Sequence, residues 1–242
     1  GSKYTRPRPN NYYCFFNRNN PDGFKFMEHD SEHSLGANVE DMVNPLLTND
    51  PRTFKREWFN AHWLHERLTD NKEYVVRFYD RVYKHLYNDG VLTAANSIQR
   101  LDKRAAQIDQ AIIAESARWG DQKTHPPRNR NNWLSDVQAV RNWINNREST
   151  FIGQLRGHNW YPATQPPSLS RNGGEVPAQY KLSLSSTQGT IYYTLDGTDP
   201  RARGGAPSSA AQKYSSAITL SGPRVVVRSR VLNGNEWSPL RE

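Results

Sequence analysis

The densest group of ionisable side chains in this 242-residue chain is the run Glu28-His29-Asp30-Ser31-Glu32-His33. Carboxylate and amide oxygens are the ligands that a hard cation such as Mg²⁺ prefers. The nearest amides are Asn11 and its neighbour Asn10. One hypothesis is therefore a magnesium site shared by Asp30 and Asn11 (or Asn10). The spacing alone leaves open the alternative that these residues only cap turns.

A second hypothesis for the same run is a zinc site, because His29 and His33 are four residues apart with carboxylates between them. The zinc motif with this spacing needs a glutamate after its first histidine and a long helix that presents both imidazoles on one face. Here a segment of strand character leads in, and Gly36 follows soon after. The pattern therefore favours the oxygen-ligand site over the zinc site.

The elements that would position the magnesium ligands are two short strands, predicted over residues 11–16 and 24–27 from their aromatic content. Pro21-Asp22-Gly23 between them is a strong turn signal, so the pattern predicts a hairpin. Because a hairpin returns the chain to its starting point, we expect Asn11 and Asp30 to come together. Kinase-like folds use this order, an asparagine, a hairpin and then an aspartate, to hold the Mg²⁺ that bridges the nucleotide phosphates.

The stretch from Asn10-Asn11-Tyr12-Tyr13 to Gly36, with the helical segment 74–93, resembles the CotH family (spore coat protein H-like, an atypical kinase fold) over residues 8–157. The resemblance implies that Asp30 and Asn11 bind metal, and that the full-length parent uses Mg²⁺ and ATP to phosphorylate protein hydroxyls. It also implies a secreted or cell-surface protein. Five residues before Asn11 stands Arg6, and five before Asn10 stands Thr5, where a kinase needs a catalytic aspartate. We therefore assign no catalytic residue and expect the chain as given to be catalytically incomplete.

Between residues 50 and 157 the apolar side chains follow a helical period. Asp70 with Glu73 fits a capping box at the start of a helix. Three amphipathic stripes follow and predict buried helix faces. Their members are Val75, Phe78, Val82 and Leu86; Ile98, Leu101, Ala105, Ile108 and Ile112; and Val137, Val140, Ile144, Phe151 and Leu155.

Composition changes near residue 160, where proline, serine, threonine and short alternating strands replace the helical pattern. Residues 189–201, together with 225–230 and Trp237-Ser238, resemble the C-terminal domain of chitobiases and hexosaminidases, which is an immunoglobulin- or fibronectin-III-like sandwich. We expect Asp196–Pro200 to form a tight turn, since its ligand spacing is too short for a calcium loop of the usual length. We expect Trp237 and Tyr192 to serve the core, although exposed aromatics there could stack on sugars.

The bulk composition narrows the function classes. The net charge is +8, but the excess is spread along the chain, so nucleic-acid binding is disfavoured. No apolar run is long enough to span a membrane. Cys14 is the only cysteine, which excludes a disulfide within the chain, and its aromatic neighbours predict a buried thiol.

The patterns and the two resemblances together imply an α+β multidomain chain, with residues 3–160 as the C-terminal portion of a CotH kinase-like domain, mainly α-helical with an N-terminal β-hairpin. Residues 161–167 are expected to be a linker, and 168–242 the β-sandwich. The predicted function is that of a fragment of a secreted or surface CotH-like protein with a kinase-like parent. The alternative is a non-enzymatic extracellular protein that binds a glycan, protein or cell-surface partner. We also expect self-association through the face that a missing lobe would cover, which a monomer in light scattering would contradict.

Overall fold

Ten strands and four helices make up the part of the chain that the computed structural model describes, residues 12–28, 35 and 61–242. The first two strands, β1 (Tyr12–Phe16) and β2 (Phe24–Glu28), pair antiparallel, as predicted. Gly23 has φ 94°, a backbone conformation that glycine adopts without a steric penalty, and it ends the connecting turn. Cys14 is exposed, so the prediction of a buried thiol is wrong: both faces of this two-stranded ribbon are open, and aromatic neighbours in sequence do not cover it.

The four helices are α1 (Ala61–Leu68), α2 (Lys72–Leu86), α3 (Ala94–Trp119) and α4 (Arg130–Gly157). The capping box predicted at Asp70 is not what starts α2. Asn71 is the cap, and its Oδ1 accepts a hydrogen bond from the Glu73 amide at 3.0 Å. Asparagine is an equally good cap, and the carboxylate of Glu73 has a different partner, described below.

The predicted stripe of α3 is only half-buried: none of its side chains is fully buried, and Ile108 is exposed. The stripe of α4 does contribute core residues, with Val137, Ile144 and Leu155 buried. Ion pairs join the two helices: Arg130 Nε lies 2.6 Å from Asp109 Oδ1, and Arg141 Nε lies 2.7 Å from Asp102 Oδ1.

The C-terminal strands are short, and they form a four-stranded sheet with the order β10-β9-β6-β7 and two two-stranded sheets, β3-β5 and β4-β8. All pairings are antiparallel. Leucine, isoleucine and valine side chains from five of the strands form one buried cluster, which confirms the sandwich-like region. The cluster consists of Leu182, Leu184, Ile191, Ile218 and Val231. The strands are β3 (Ser168–Leu169), β4 (Lys181–Leu182), β5 (Leu184–Ser185), β6 (Thr190–Thr194), β7 (Gln212–Lys213), β8 (Ile218–Thr219), β9 (Arg228–Asn233) and β10 (Glu236–Trp237).

Two compact units share the chain, and their boundaries do not follow the sequence order. Among the described residues, the first unit contains the hairpin, α1, and residues 98–151 of α3 and α4. The second contains residues 71–97, with the whole of α2, and residues 152–242. No helix within the described residues is long and apolar enough to cross a membrane.

The segment 161–167, predicted to be a linker, is packed within the second unit. Tyr161 and Thr164 are buried, and Pro167 is fully enclosed. The backbone amides of Ala163 and Thr164 donate to the carboxylate of Glu236 on β10. Prolines favour an extended backbone in this segment, and the Glu236 carboxylate accepts hydrogen bonds from two of its amides.

Candidate functional site

The predicted magnesium ligands flank the two strands of the hairpin in the sequence. Its register pairs Tyr12 with Glu28 and Phe16 with Phe24, so the two strands end side by side at their open end. Asn11 precedes that end in sequence, and Asp30 follows it. Both residues, with Asn10, His29 and His33, lie outside the described part of the chain, so their assignment as metal ligands stays a prediction.

The most elaborate polar cluster in the described residues is centred on Arg230 of β9, whose side chain is 0% exposed. Asp80 of α2 accepts from Nη1 at 2.8 Å and from Nη2 at 2.6 Å. Asp199 accepts from Nε at 2.7 Å and from Nη2 at 2.6 Å. The carbonyl of Ser238 accepts from Nη1 at 2.9 Å. These contacts use all five N–H groups of the guanidinium.

Alternation along β9 explains how a helix reaches this arginine. Val231 points into the sandwich core, so Arg230 points to the other face of the sheet. Tyr79 and Asp80 of α2 meet that face: the Tyr79 hydroxyl donates to the Trp237 carbonyl at 3.4 Å, and the Asp80 carboxylate accepts from the Leu240 amide at 2.8 Å. The helix therefore covers the outer side of the sheet.

The charges of the cluster are mutually satisfied. Burial alone would lower the pKa of Arg230, but the hydrogen bonds and charges of Asp199 and Asp80 outweigh it and raise the pKa above its ordinary value. Both carboxylates are occupied by the guanidinium, so neither is available as a general base or nucleophile. The cluster is a structural junction between α2 and the sheet, and it offers no catalytic group.

A second arginine–carboxylate pair reinforces this junction nearby. Arg201 donates through Nη1 and Nη2 to the two oxygens of Glu73 at 2.8 and 2.7 Å, and the Gly204 amide donates to Glu73 at 3.0 Å. The hydrogen bond from Arg201 is the main reason that the pKa of Glu73 falls to about 2. Glu73 is thus a carboxylate held in its charged form.

The turn at Asp196–Pro200 has the structure predicted for it. The Asp196 carboxylate accepts from the amide and the hydroxyl of Thr198 at 2.9 and 2.6 Å, and Asp199 accepts from the Arg201 amide at 2.9 Å. No group of three or more histidine, cysteine, aspartate or glutamate side chains in the described residues is placed to hold a metal ion.

The aromatic residues of the sandwich serve its packing, as expected. Trp237 is buried and donates its indole N–H to the Gly205 carbonyl, and its ring lies 5.5 Å from that of Tyr192. Tyr192 is half-buried, and Lys213 lies over its ring. The sandwich therefore presents no exposed aromatic platform in its described residues, which include all of 168–242.

A groove of about 850 Å³ runs along one edge of the sandwich, between the loops 171–180 and 222–227. Its walls combine the charges of Arg171, Glu175 and Arg224 with the apolar surface of Val226 and Tyr180. A mixed concave surface of this size is suitable for a ligand or a peptide.

Sequence reasoning missed Asp80, Asp199 and Arg230. The strand pattern did contain a signal: Arg228 and Arg230 alternate with Ser229 and Val231 in a strand that also proves to be buried on its outer face. An arginine in a strand buried on both sides needs carboxylate partners. What the pattern could not reveal is that one partner comes from a helix 150 residues earlier.

Two known family models match the chain. A family model described as CotH kinase protein matches residues 4–151, and a model described as Fn3 associated matches residues 181–236. No curated protein and no solved structure matches the chain. The first match contains the hairpin and α2, and the second contains most of the sandwich with β9, in the order expected from the sequence. Since the first match covers well over half of the 242 residues, the chain belongs to the CotH kinase protein family, and an Fn3-associated domain follows its CotH domain.

Proposed function

We propose that this chain supplies the metal-binding half of the nucleotide site in a secreted or surface CotH-type phosphotransferase that uses ATP and Mg²⁺. The observation that carries the proposal is the CotH match over residues 4–151, which includes both Asn11 and Asp30. An amide oxygen and a carboxylate are donors that suit Mg²⁺. Asp30 would hold the metal, and Asn11 would supply a second oxygen ligand.

The chain as given is proposed to bind rather than to transfer phosphate. Arg6 and Thr5 occupy the positions where a carboxylate would accept the proton of the substrate hydroxyl. Asp80, Asp199 and Glu73 of the second unit are each paired with an arginine. Magnesium, when bound, would neutralise charge on the nucleotide phosphates.

Calorimetric titration of Mg²⁺–ATP into the chain tests this proposal. We expect binding that is lost in Asp30→Ala and retained in Asp22→Ala. Asp22 is a matched control, since it is an exposed carboxylate of the same hairpin whose partner is Lys25 at 2.9 Å. Equal loss in both variants, or no heat with the unmodified chain, would contradict the proposal.

The alternative function is that of a non-enzymatic binding or scaffold protein with a glycan, protein or cell-surface partner. The groove of about 850 Å³ on the sandwich supports it. Stacking of sugars on Trp237 is not the form it would take, because that ring is buried. Absence of Mg²⁺–ATP binding would favour this alternative and direct the search to the groove.

A further inference from the structure

A cleft of about 300 Å³ on the second unit is lined mainly by cations. Arg77, Arg81 and Lys84 of α2 contribute three, at spacings of four and three residues that place them on one face of the helix. Arg228 at the start of β9 contributes the fourth. We call this the basic cleft; it lies beside the Arg230 cluster and has no residue in common with the proposed magnesium site.

The cleft keeps an excess of positive charge after its carboxylates are counted. Two acidic side chains line it, those of Asp80 and Glu242, against the four cationic side chains. Asp80 is already occupied by Arg230 and by the Leu240 amide. Neither Arg77 nor Arg81 makes an ion pair with any residue that the structure describes, and both are exposed.

Glu242 shows that the cleft accommodates an oxyanion. One oxygen of its carboxylate lies 2.6 Å from Lys84 Nζ, and the other lies 3.0 Å from Arg228 Nη2. The hydrogen bond from Lys84 is the main cause that lowers the pKa of Glu242. Arg228 Nε is buried, and neither Glu242 nor any other described residue accepts a hydrogen bond from it.

We propose that the basic cleft binds phosphate, either as the free ion or as a small phosphate ester, and that Glu242 is a built-in competitor that leaves when phosphate enters. Arginine presents a planar fork of donors that matches the oxygens of phosphate, and lysine adds a point charge. A tetrahedral oxyanion has more acceptor oxygens than a carboxylate, so it can engage Arg77 and Arg81 in addition to the two cations that Glu242 contacts.

Titration of inorganic phosphate and of O-phospho-L-serine into the full chain at constant ionic strength tests the proposal. Tighter binding of phosphoserine would identify an ester as the preferred form, and equal or tighter binding of phosphate would identify the free ion. We expect Arg81→Gln and Arg77→Gln each to weaken binding roughly tenfold, as loss of a charge-assisted hydrogen bond does. Arg104→Gln is the control, because Arg104 is an exposed arginine of α3 that bonds Gln107.

The variant that distinguishes a built site from a general basic surface is Glu242→Gln. Removing the competing carboxylate should tighten phosphate binding several-fold, whereas each cation substitution weakens it. Equal weakening by Arg104→Gln, or no binding by either the unmodified chain or Glu242→Gln, would overturn the proposal. Asp30→Ala should leave phosphate binding unchanged, so failure of the nucleotide site and failure of the basic cleft give different results. Heat from Mg²⁺–ATP that survives Asp30→Ala but is lost in Arg81→Gln belongs to the basic cleft.

Discussion

Arg230 is tolerated in a fully enclosed position because every one of its donors has an acceptor. Removing a guanidinium from water costs several kcal/mol, and only close carboxylates with good geometry compensate for that cost. Asp80 and Asp199 each face two guanidinium nitrogens, and each contact is 2.8 Å or shorter. Loss of one carboxylate would leave a buried charge only partly compensated.

Asp80→Asn should therefore lower the free energy of unfolding by about 3 kcal/mol, the usual effect of breaking a buried pair from one side. Asparagine keeps the size of the side chain, but it places an N–H₂ donor against the donors of Arg230. The measurement is urea-induced unfolding followed by circular dichroism and tryptophan fluorescence. Asp102→Asn is the control, since the Asp102–Arg141 pair is exposed, and it should unfold close to the unmodified chain. If the two variants unfold alike, the Arg230 cluster does not stabilise the fold.

The sequence predicted individual residues well where the deciding interaction is local. The turn at Asp196–Pro200 could be predicted from its own residues, and the hydrogen bond that the Asp196 carboxylate accepts is to an amide only two residues away. Cys14 was misjudged because burial depends on what packs over a strand. The pairing of Glu73 with Arg201, 128 residues later, could not be inferred from either segment alone.

Helix α2 packs against strands that lie far from it in the sequence. It lies inside the CotH match, yet its buried face packs on the strands that follow residue 180. The stripe that predicted the helix gave its apolar face but not the identity of its neighbour. Polar contacts at both ends then fix it: Glu73 with Arg201 near the first turn, and Lys84 with Glu242 near the last.

The Glu73 contact predicts an acid-sensitive junction. Its pKa is lowered from 4.5 to about 2 in the folded chain, so the carboxylate adds stability above pH 4.5, and this contribution is lost as the pH falls towards 2. Glu73→Gln should be less stable than the unmodified chain by about 2 kcal/mol at pH 7, allowing for partial solvent screening.

The unfolding free energies of Glu73→Gln and of the unmodified chain should converge as the pH is lowered from 5 to 2. The unmodified chain then loses the stabilisation by the Glu73 carboxylate, which the variant lacks at every pH. Urea titrations at a series of pH values measure this convergence. Glu115→Gln, at an exposed site on α3, serves as the control and should give a curve parallel to that of the unmodified chain. A difference between Glu73→Gln and the unmodified chain that stays constant down to pH 2 would contradict the assignment.

The elements were easier to predict than their boundaries and partners. Strong periodicity located α2, α3 and α4, and the turn signals located the hairpin. Apolar and polar side chains alternate over residues 224–232, which predicts a strand that begins at Arg224, but β9 begins only at Arg228. The preceding residues form one isolated parallel bridge, between Val226 and Asp196, and then line the groove. A side-chain pattern cannot distinguish a strand from an extended segment that has no hydrogen-bonded neighbouring strand.

The two units of the chain are interleaved in sequence, which has a consequence for cooperativity. Elements that share a packed core tend to open together, whatever their order along the chain. Residues 71–97 and 152–242 form one unit. The amide hydrogens of α2 should therefore exchange with solvent through the same opening reaction as those of the sandwich strands. Residues 98–119 of α3 follow α2 closely in the sequence but belong to the other unit.

Native-state hydrogen exchange on the unmodified chain and on Val231→Ala tests this consequence. Val231 is 0% exposed in the sandwich core, so its truncation should cost about 2 kcal/mol. We expect the protection of α2 amides to fall by the same free energy as that of β6 and β9, with residues 98–119 unchanged. Ile144→Val in α4 is the reciprocal control, since Ile144 is buried in the first unit and its truncation should affect residues 98–119 but not α2. If the protection of α2 amides instead changes together with that of α3 in both variants, α2 is energetically part of the CotH helices. The arginine-linked junction between α2 and the sandwich would then contribute little to the stability of the helix or of the sandwich.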